Sequence, residues 1–188
     1  MEILIMKSFL LLPAALLALV AVNPATAQIK IEPYVGYGFF GKLPDTGAKL
    51  EADLTYGGRV GYQLSPQWGI FVNGQRSTPE VTGTLGGGVK VTGGQVTVDQ
   101  WSAGFEFSYI PRGGAEGMLP VLLEAGLGQT RYRGGANDLA VNLGLGSALR
   151  LSRNLAIRYG ASDYLSNYRN GDGIVNQIFV HVGAELGM

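Results

Sequence analysis

The chain has 188 residues, 14 basic and 14 acidic side chains, and no cysteine. The balanced charge gives no basic surplus for binding nucleic acid, and the lack of cysteine excludes disulfides, thiolate metal sites and a lipidated N-terminal cysteine. Charged residues make up 15% of the chain, against about 25% in soluble domains. A protein whose outer surface contacts lipid does not need the missing charge.

The N-terminal segment is organised like a secretory signal peptide. Lys7 supplies a positive start, 9–22 is apolar, and 25–27 presents small residues for cleavage. The apolar run is shorter than the roughly 20 residues that a membrane-spanning helix needs, which favours a cleaved signal over a membrane anchor. We therefore expect a signal peptide at 1–27 and a single mature domain at 28–188.

Beyond the leader, the sequence alternates with a period of two. From Leu139 to Leu151, leucine and valine occupy most positions of one parity, whereas glycine, alanine and polar residues occupy most of the other. This alternation predicts extended strands whose successive side chains point to opposite faces. The pattern occurs in eight segments, at about 29–41, 53–64, 68–77, 95–110, 118–132, 139–151, 155–165 and 174–188.

The connections between these segments alternate in length. The shorter ones are 65–67, 111–117 and 152–154, and the mostly longer ones are 42–52, 78–94, 133–138 and 166–173. This arrangement is typical of up-and-down outer-membrane barrels with both termini on the short-turn side. Within 78–94, two alternating stretches flank Gly86–Gly88, and the sequence leaves open whether they form a ribbon extending the third and fourth strands or a flexible glycine loop.

The two faces of the predicted strands differ in composition. One face is bulky and apolar and has no acidic or basic residue at membrane depth, whereas the other is rich in glycine with a few charges. The lumen of an eight-stranded barrel is barely wide enough for side chains, so glycine there makes room for the long ones. We therefore predict an all-β, eight-stranded antiparallel up-and-down transmembrane barrel with its apolar face toward lipid.

Aromatic residues of the apolar face gather at both ends of the predicted strands. Those near the short turns are Tyr62, Trp68 and Tyr109, and those near the long loops are Phe39, Tyr56 and Trp101. Amphipathic rings favour membrane–water interfaces, so these six residues are predicted to form an aromatic girdle.

Four residues fit the alternation less well. Pro33 falls within the first strand and cannot donate to a ladder, so we expect a bulge or a late strand start there. Tyr34, Phe71 and Phe179 have the inward parity, and we expect them to pack inside the barrel.

The inward parity also carries ionisable side chains. They are Glu32, Arg59, Glu106, Glu124, Arg150, Arg158, His181 and Glu185. Buried charges are costly unless paired, so we predict a lumen charge network that plugs the barrel. His181 is the sole histidine; Ser108 and Ser162 share its parity, but no local motif supports a triad, and zinc sites need several ligands. We assign no catalytic residue, cofactor or metal site.

The chain's last residues are similar to the assembly signal of a known family. Gly183 stands where this signal has a glycine, and Leu186 and Met188 stand at its two apolar places, where aromatic residues are usual. With the leader, strand count and lumen, this resembles the eight-stranded outer-membrane barrels typified by the OmpA membrane domain and OmpX, the small porin-family barrels. The resemblance implies insertion by the barrel-assembly machinery into the outer-membrane lipid of a diderm bacterium, with extracellular loops and periplasmic termini. It identifies no surface ligand.

These observations favour a non-enzymatic envelope protein that presents surface loops on a plugged barrel. A narrow porin-like channel is the alternative, since glycine on the lumen permits a path. A lipid A-modifying enzyme is a third possibility, because deacylases and palmitoyltransferases of this class also have eight strands. The deacylase His-x-Ser signature is absent, because Gly183 stands two residues after His181.

Overall fold

The computed structural model describes residues 28–44, 48–85, 89–110, 119–133, 137–168 and 173–187. The predicted signal peptide, the connection at 111–117 and Met188 lie outside these ranges. The described part of the chain is built of β-strands, and it contains no helix long and apolar enough to cross a membrane.

Eight of the strands close into an antiparallel barrel, which confirms the predicted fold class. In spatial order they are β1 (Gln28–Phe40), β3 (Asp53–Gln63), β4 (Trp68–Ser77), β7 (Val98–Tyr109), β8 (Val121–Tyr132), β9 (Asn137–Arg150), β10 (Leu155–Tyr168) and β11 (Gly173–Gly187), with β11 pairing back onto β1. β7 and β8 each begin three residues later than the predicted segments, and β10 ends three residues later than predicted. β10 extends because a ladder outside the hydrocarbon can continue without the apolar alternation.

Short turns and small extra strands distinguish the two ends of the barrel. At the end that we call the turn end, tight turns close through Ser65 N to Trp68 O at 3.0 Å and Ser152 N to Leu155 O at 3.0 Å. At the opposite loop end, β2 (Lys49–Leu50), β5 (Glu80–Leu85) and β6 (Val89–Gln95) form a separate sheet in the order β2-β5-β6.

The segment at 78–94 therefore forms a paired hairpin. It continues the β4–β7 ladder beyond the barrel, because Val96 N donates to Pro79 O at 3.0 Å and Glu80 pairs with Gln95 in the register that joins Ser77 to Val98. On its other side β5 pairs with β2 through Leu50 and Val81. These pairings favour the ribbon over the flexible loop. Its tip, Gly86–Gly88, lies outside the described residues.

Pro33 lies within a continuous strand, so the expected bulge or late start was wrong. Ile31 pairs with Leu186 and Tyr34 with Gly183, which is the same register on both sides of the proline. The ladder toward β11 is interrupted at Glu32 and Pro33, where the proline has no N–H to donate. On its other side, Pro33 still opposes Gly58 of β3.

The apolar parity faces outward along the whole barrel. Leu127, Phe105 and Leu145 are 63%, 60% and 58% exposed, and the three inward aromatic rings are buried as predicted. Asp163 is an exception to the expected absence of charge, since it lies on the outward parity of β10 opposite Leu143 and Ile178. Its carboxylate interacts with the Asn176 side chain and the Gln177 backbone, which lowers the cost of placing it there. Arg76, Asp99 and Arg131 also have the outward parity, in one row near the loop end.

Glycines on the inner face make room for large side chains, as the sequence predicts. A Cβ on Gly57 would stand 2.5 Å from the Tyr34 hydroxyl, and one on Gly144 would stand 3.1 Å from Glu124 Cβ. The lumen therefore holds its long polar side chains only because adjacent strands contribute no side chain at these positions.

Candidate functional site

The centre of the lumen is organised around one arginine. Arg158 is 2% exposed, and it pairs with Glu32 at 3.3 Å, Glu106 at 2.6 Å and Glu185 at 3.3 Å. Its Nη2 also donates to Glu124. A planar guanidinium has five donors and can serve several carboxylates at once.

A second arginine shares two of these carboxylates. Arg59 donates from Nη2 to Glu106 and from Nη1 to Glu124, both at 2.5 Å. Its guanidinium carbon also lies 4.1 Å from the centre of the Phe71 ring, a distance typical of cation–π attraction. We call Glu32, Arg59, Glu106, Glu124, Arg158 and Glu185 the charge cluster.

The structure brings together six of the eight ionisable residues identified from the sequence. Arg150 has the inward parity but lies exposed at the turn-end mouth, and it pairs with no described residue in the charge cluster. His181 packs its ring 5.1 Å from that of Tyr34, and none of the hydrogen bonds among the described residues joins it to a serine. Both were expected in the network, and neither belongs to it.

One member of the site was missed. Lys30 lies 3.2 Å from Glu185 and has the same parity as Glu32, so the alternation in β1 contained the signal. Throughout the described ranges, the charge cluster included, no group of three or more His, Cys, Asp or Glu side chains is placed to hold a metal ion.

Toward the loop end, the lumen is filled by a layer of uncharged polar side chains. Gln100 Nε2 donates to Gln177 Oε1 at 2.5 Å, and Gln75 Nε2 donates to Gln100 Oε1 at 2.8 Å. Gln177 continues the chain by donating to the Tyr132 hydroxyl at 2.5 Å. Because Gln100 and Gln177 are 2% and 0% exposed, this glutamine layer excludes solvent from the section of lumen that it occupies.

The loop-end mouth is closed by apolar packing that includes the small sheet. Leu50 of β2 is 1% exposed and lies in a cluster of buried side chains from the barrel wall. The members of this apolar cap are Phe40, Leu50, Val98, Tyr132, Ala140, Tyr164, Tyr168, Val175 and Phe179. The cap and the glutamine layer overlap along the axis, since Tyr132 accepts a hydrogen bond from Gln177 and Tyr164 opposes Gln177, and together they fill the lumen on the loop-end side of the charge cluster.

Below the charge cluster, the turn end opens into a vestibule of about 440 Å³. Lys30, Glu106 and Glu185 contribute to its lining, as do the apolar side chains of Leu122 and Ala156. The vestibule reaches the charge cluster from one side.

The aromatic girdle residues all lie on the outward parity. Phe39, Tyr56, Trp68, Trp101 and Tyr109 are about half exposed, and Tyr62 is partly covered. In the proposed assembly signal, Gly183 lies where a Cβ would stand 2.8 Å from the Pro33 carbonyl oxygen, so its small size serves closure of β11 on β1. Leu186 is 47% exposed on the outer face, and Met188 lies beyond the described residues.

A closed eight-stranded antiparallel barrel with an apolar exterior and a polar, packed lumen defines the fold of the eight-stranded outer-membrane barrels. Neisserial surface protein A shares it with a TM-score of 0.54 and 12% identity, over 85% of this chain and 96% of that protein. OprG of Pseudomonas aeruginosa has a TM-score of 0.54 and 11% identity, over 86% and 95% of the two chains.

The N-terminal barrel domain of Pseudomonas aeruginosa OprF also matches, with a TM-score of 0.52 and 13% identity over 86% of this chain and 97% of that domain. No protein-family model and no curated protein matches the sequence. These likenesses confirm the resemblance in fold, and at such identities they carry no statement about activity.

Proposed function

We propose that the protein is a non-enzymatic outer-membrane barrel that presents its loop-end sheet at the cell surface and does not conduct. The observation that carries the proposal is Arg158, which is buried among four carboxylates across the axis of the lumen. A continuous water path would have to displace this cluster and then the interleaved side chains of the glutamine layer and the apolar cap.

The two aromatic belts support placement in a bilayer, because each lies where an interface would meet the strands. The fold implies contact with membrane lipid. In the proposed orientation the loop end is extracellular and the termini are periplasmic, after removal of 1–27 and insertion by the barrel-assembly machinery. We propose no cofactor and no nucleic-acid partner.

Conductance in planar bilayers tests the closed lumen. The protein purified from membranes is expected to give no stable, selective current, because the charge cluster blocks the axis. A stable current that changes in Glu124→Ala or Arg158→Ala would instead support the channel alternative. That alternative draws on one observation, the vestibule of about 440 Å³ that leads to the charge cluster.

Orientation is tested by labelling, for which a chain without cysteine is well suited. Gln95→Cys places a thiol in the loop-end sheet and Gln67→Cys places one in a turn-end turn, and both glutamines are exposed. An impermeant maleimide added to intact cells should label the first variant and spare the second. The reverse pattern would contradict the orientation.

The enzyme alternative is tested at His181. We expect His181→Ala to leave the lipid A composition of cells unchanged, because the imidazole packs on Tyr34 rather than on a nucleophile. A change in the number of acyl chains on lipid A, measured by mass spectrometry, would support that alternative.

A further inference from the structure

The outer surface of the barrel has a depression at two adjacent glycines. Gly58 of β3 and Gly74 of β4 are direct cross-strand partners, and both have the outward parity. A Cβ on Gly74 would meet no atom within 4 Å, and the nearest atom to one on Gly58 is the Glu32 carbonyl oxygen at 3.8 Å. These glycines therefore do not relieve crowding, unlike those of the lumen.

The depression continues across four strands as a furrow. Pro33 opposes Gly58, and Trp101 opposes Gly74, so that a short ring and an indole bound the two glycines. Val60 and Val72, both about half exposed, form the wall nearer the turn end. We call Gly58 and Gly74, with Pro33 and Trp101 at the two ends, the glycine furrow.

A fixed guanidinium stands at the other wall of the furrow. Arg76 donates to Asp99 through Nε at 2.5 Å and Nη2 at 3.0 Å. The two side chains are 52% and 38% exposed. The carboxylate orients the guanidinium, and because the Arg76 side chain is half exposed, part of its donor fork still faces outward.

A second cation lies in the same row. Arg131 opposes Asp99 on β8, is exposed, and forms no ion pair within the described part of the chain. The row of Arg76, Asp99 and Arg131 therefore carries a net positive charge on the outer surface. A depression of about 290 Å³ touches Tyr56, Gly74 and Arg76, which links the cation to the furrow.

The depth of this row in the membrane indicates the chemistry of its ligand. Tyr56 and Trp101 belong to the aromatic belt of the loop end, where headgroups meet hydrocarbon. Arginine at that level suits phosphate, which its planar fork can bind through two hydrogen bonds. The apolar furrow next to the arginine is open because two neighbouring strands carry no side chain there. A furrow of this width suits one acyl chain.

We propose that Arg76 and the glycine furrow bind a phosphorylated glycolipid of the leaflet at the loop end, with a phosphate on Arg76 and Arg131 and one acyl chain between the walls. The choice of glycolipid rests on the proposed orientation, which makes this the outer leaflet of an outer membrane. Asp99 limits the site to one phosphate, because it would repel a second anion.

Native mass spectrometry of the protein in detergent, with added bis-phosphorylated lipid A as the probe, tests the site. Arg76→Gln and Gly74→Leu are each expected to lower lipid A occupancy about tenfold. The first removes a charged hydrogen-bond donor to the phosphate, and the second fills the furrow with a side chain. The matched controls are Arg153→Gln, an exposed arginine at the turn end, and Ala125→Leu, an added leucine side chain on the outward face of β8. Both controls should bind as the unaltered protein does.

Dephosphorylated lipid A and phosphatidylglycerol provide the remaining arms. Equal occupancy by dephosphorylated lipid A would overturn the role of the phosphate, and equal occupancy by phosphatidylglycerol would overturn the choice of glycolipid. If Gly74→Leu binds no worse than Ala125→Leu, the furrow is not the acyl site. Because this assay needs neither conductance nor cell-surface exposure, its failure is distinguishable from failure of the proposed function.

Discussion

Glu106 on β7 and Glu124 on β8 are direct cross-strand partners, and their carboxylates share both arginines of the charge cluster. Like charges directly opposed on a sheet destabilise the pairing. Arg59 bridges the two carboxylates with hydrogen bonds of 2.5 Å, and Arg158 bridges them again from β10. The barrel register therefore creates an electrostatic conflict that the two guanidinium groups resolve.

Removing the central guanidinium should be strongly destabilising. Arg158→Ala leaves Glu106 and Glu124 with Arg59 alone. Glu185 keeps only Lys30, and Glu32 keeps no ion pair among the described residues. Breaking a buried ion pair costs about 3–5 kcal/mol. Urea unfolding in detergent micelles, followed by circular dichroism, measures the change. The control is Arg150→Ala, an exposed arginine of the same parity, which should cost less than about 0.5 kcal/mol. Equal losses in the two variants would show that the cluster does not stabilise the barrel.

Two neighbouring glycines should respond oppositely to alanine. Gly57→Ala forces a Cβ to within 2.6 Å of the Gly74 carbonyl oxygen and close to Tyr34, so it should destabilise by about 1–3 kcal/mol. Gly58→Ala places its Cβ on the outer face, 3.8 Å from the nearest atom, and should stabilise by about 0.5–1 kcal/mol, since alanine restricts the unfolded chain. The midpoints of urea unfolding measure both changes. A loss of stability in Gly58→Ala would contradict the assignment of Gly58 to the outer face and Gly57 to the lumen.

Both tryptophans should be in contact with lipid. Trp68 and Trp101 are each 49% exposed on the outer face, at opposite ends of the barrel. In bilayers of brominated phospholipid, single-tryptophan variants made by Trp68→Phe and Trp101→Phe should each be quenched, and more strongly by bromine near the headgroup than at the chain end. Emission that brominated chains leave unchanged would mean that the bulky face is turned inward.

The faces of the strands could be predicted because parity is a local property of a pleated chain. Parity does not give depth, which is why Arg150 was placed in the network although it lies at the exposed mouth. The partners of Arg158 could not be predicted either, because the stagger between strands is fixed only when the barrel closes.

The β5–β6 hairpin was one of the two alternatives drawn from the sequence, but β2 was not predicted, for a different reason. A strand as short as β2 has no periodicity to detect, so the burial of Leu50 follows from its pairing with Val81 and not from any local pattern. Lys30, in contrast, followed the same alternation as Glu32 and could have been included.

The apolar cap should depend on Leu50. Leu50→Ala removes a side chain that is 1% exposed and should cost about 2–5 kcal/mol of local stability. Hydrogen exchange should then accelerate at the Glu51 amide, which donates to Glu80 O at 2.9 Å. Leu54→Ala is the control because Leu54 is 57% exposed on the outer face. An unchanged exchange rate at Glu51 would mean that Leu50 does not hold the sheet on the barrel.

The charge cluster joins side chains from six of the eight barrel strands, including Glu32 on the first and Glu185 on the last. Glu185 lies on β11, which pairs directly with the strand of Arg158, so Glu32 is the counterion that Arg158 lacks until β1 meets β11. An incompletely neutralised guanidinium is costly in hydrocarbon. Pairing of β1 with β11 and completion of the ion pairs of Arg158 are thus one event. A partly closed barrel is destabilised by the incomplete charge cluster in its lumen, so insertion should proceed to completion or not at all.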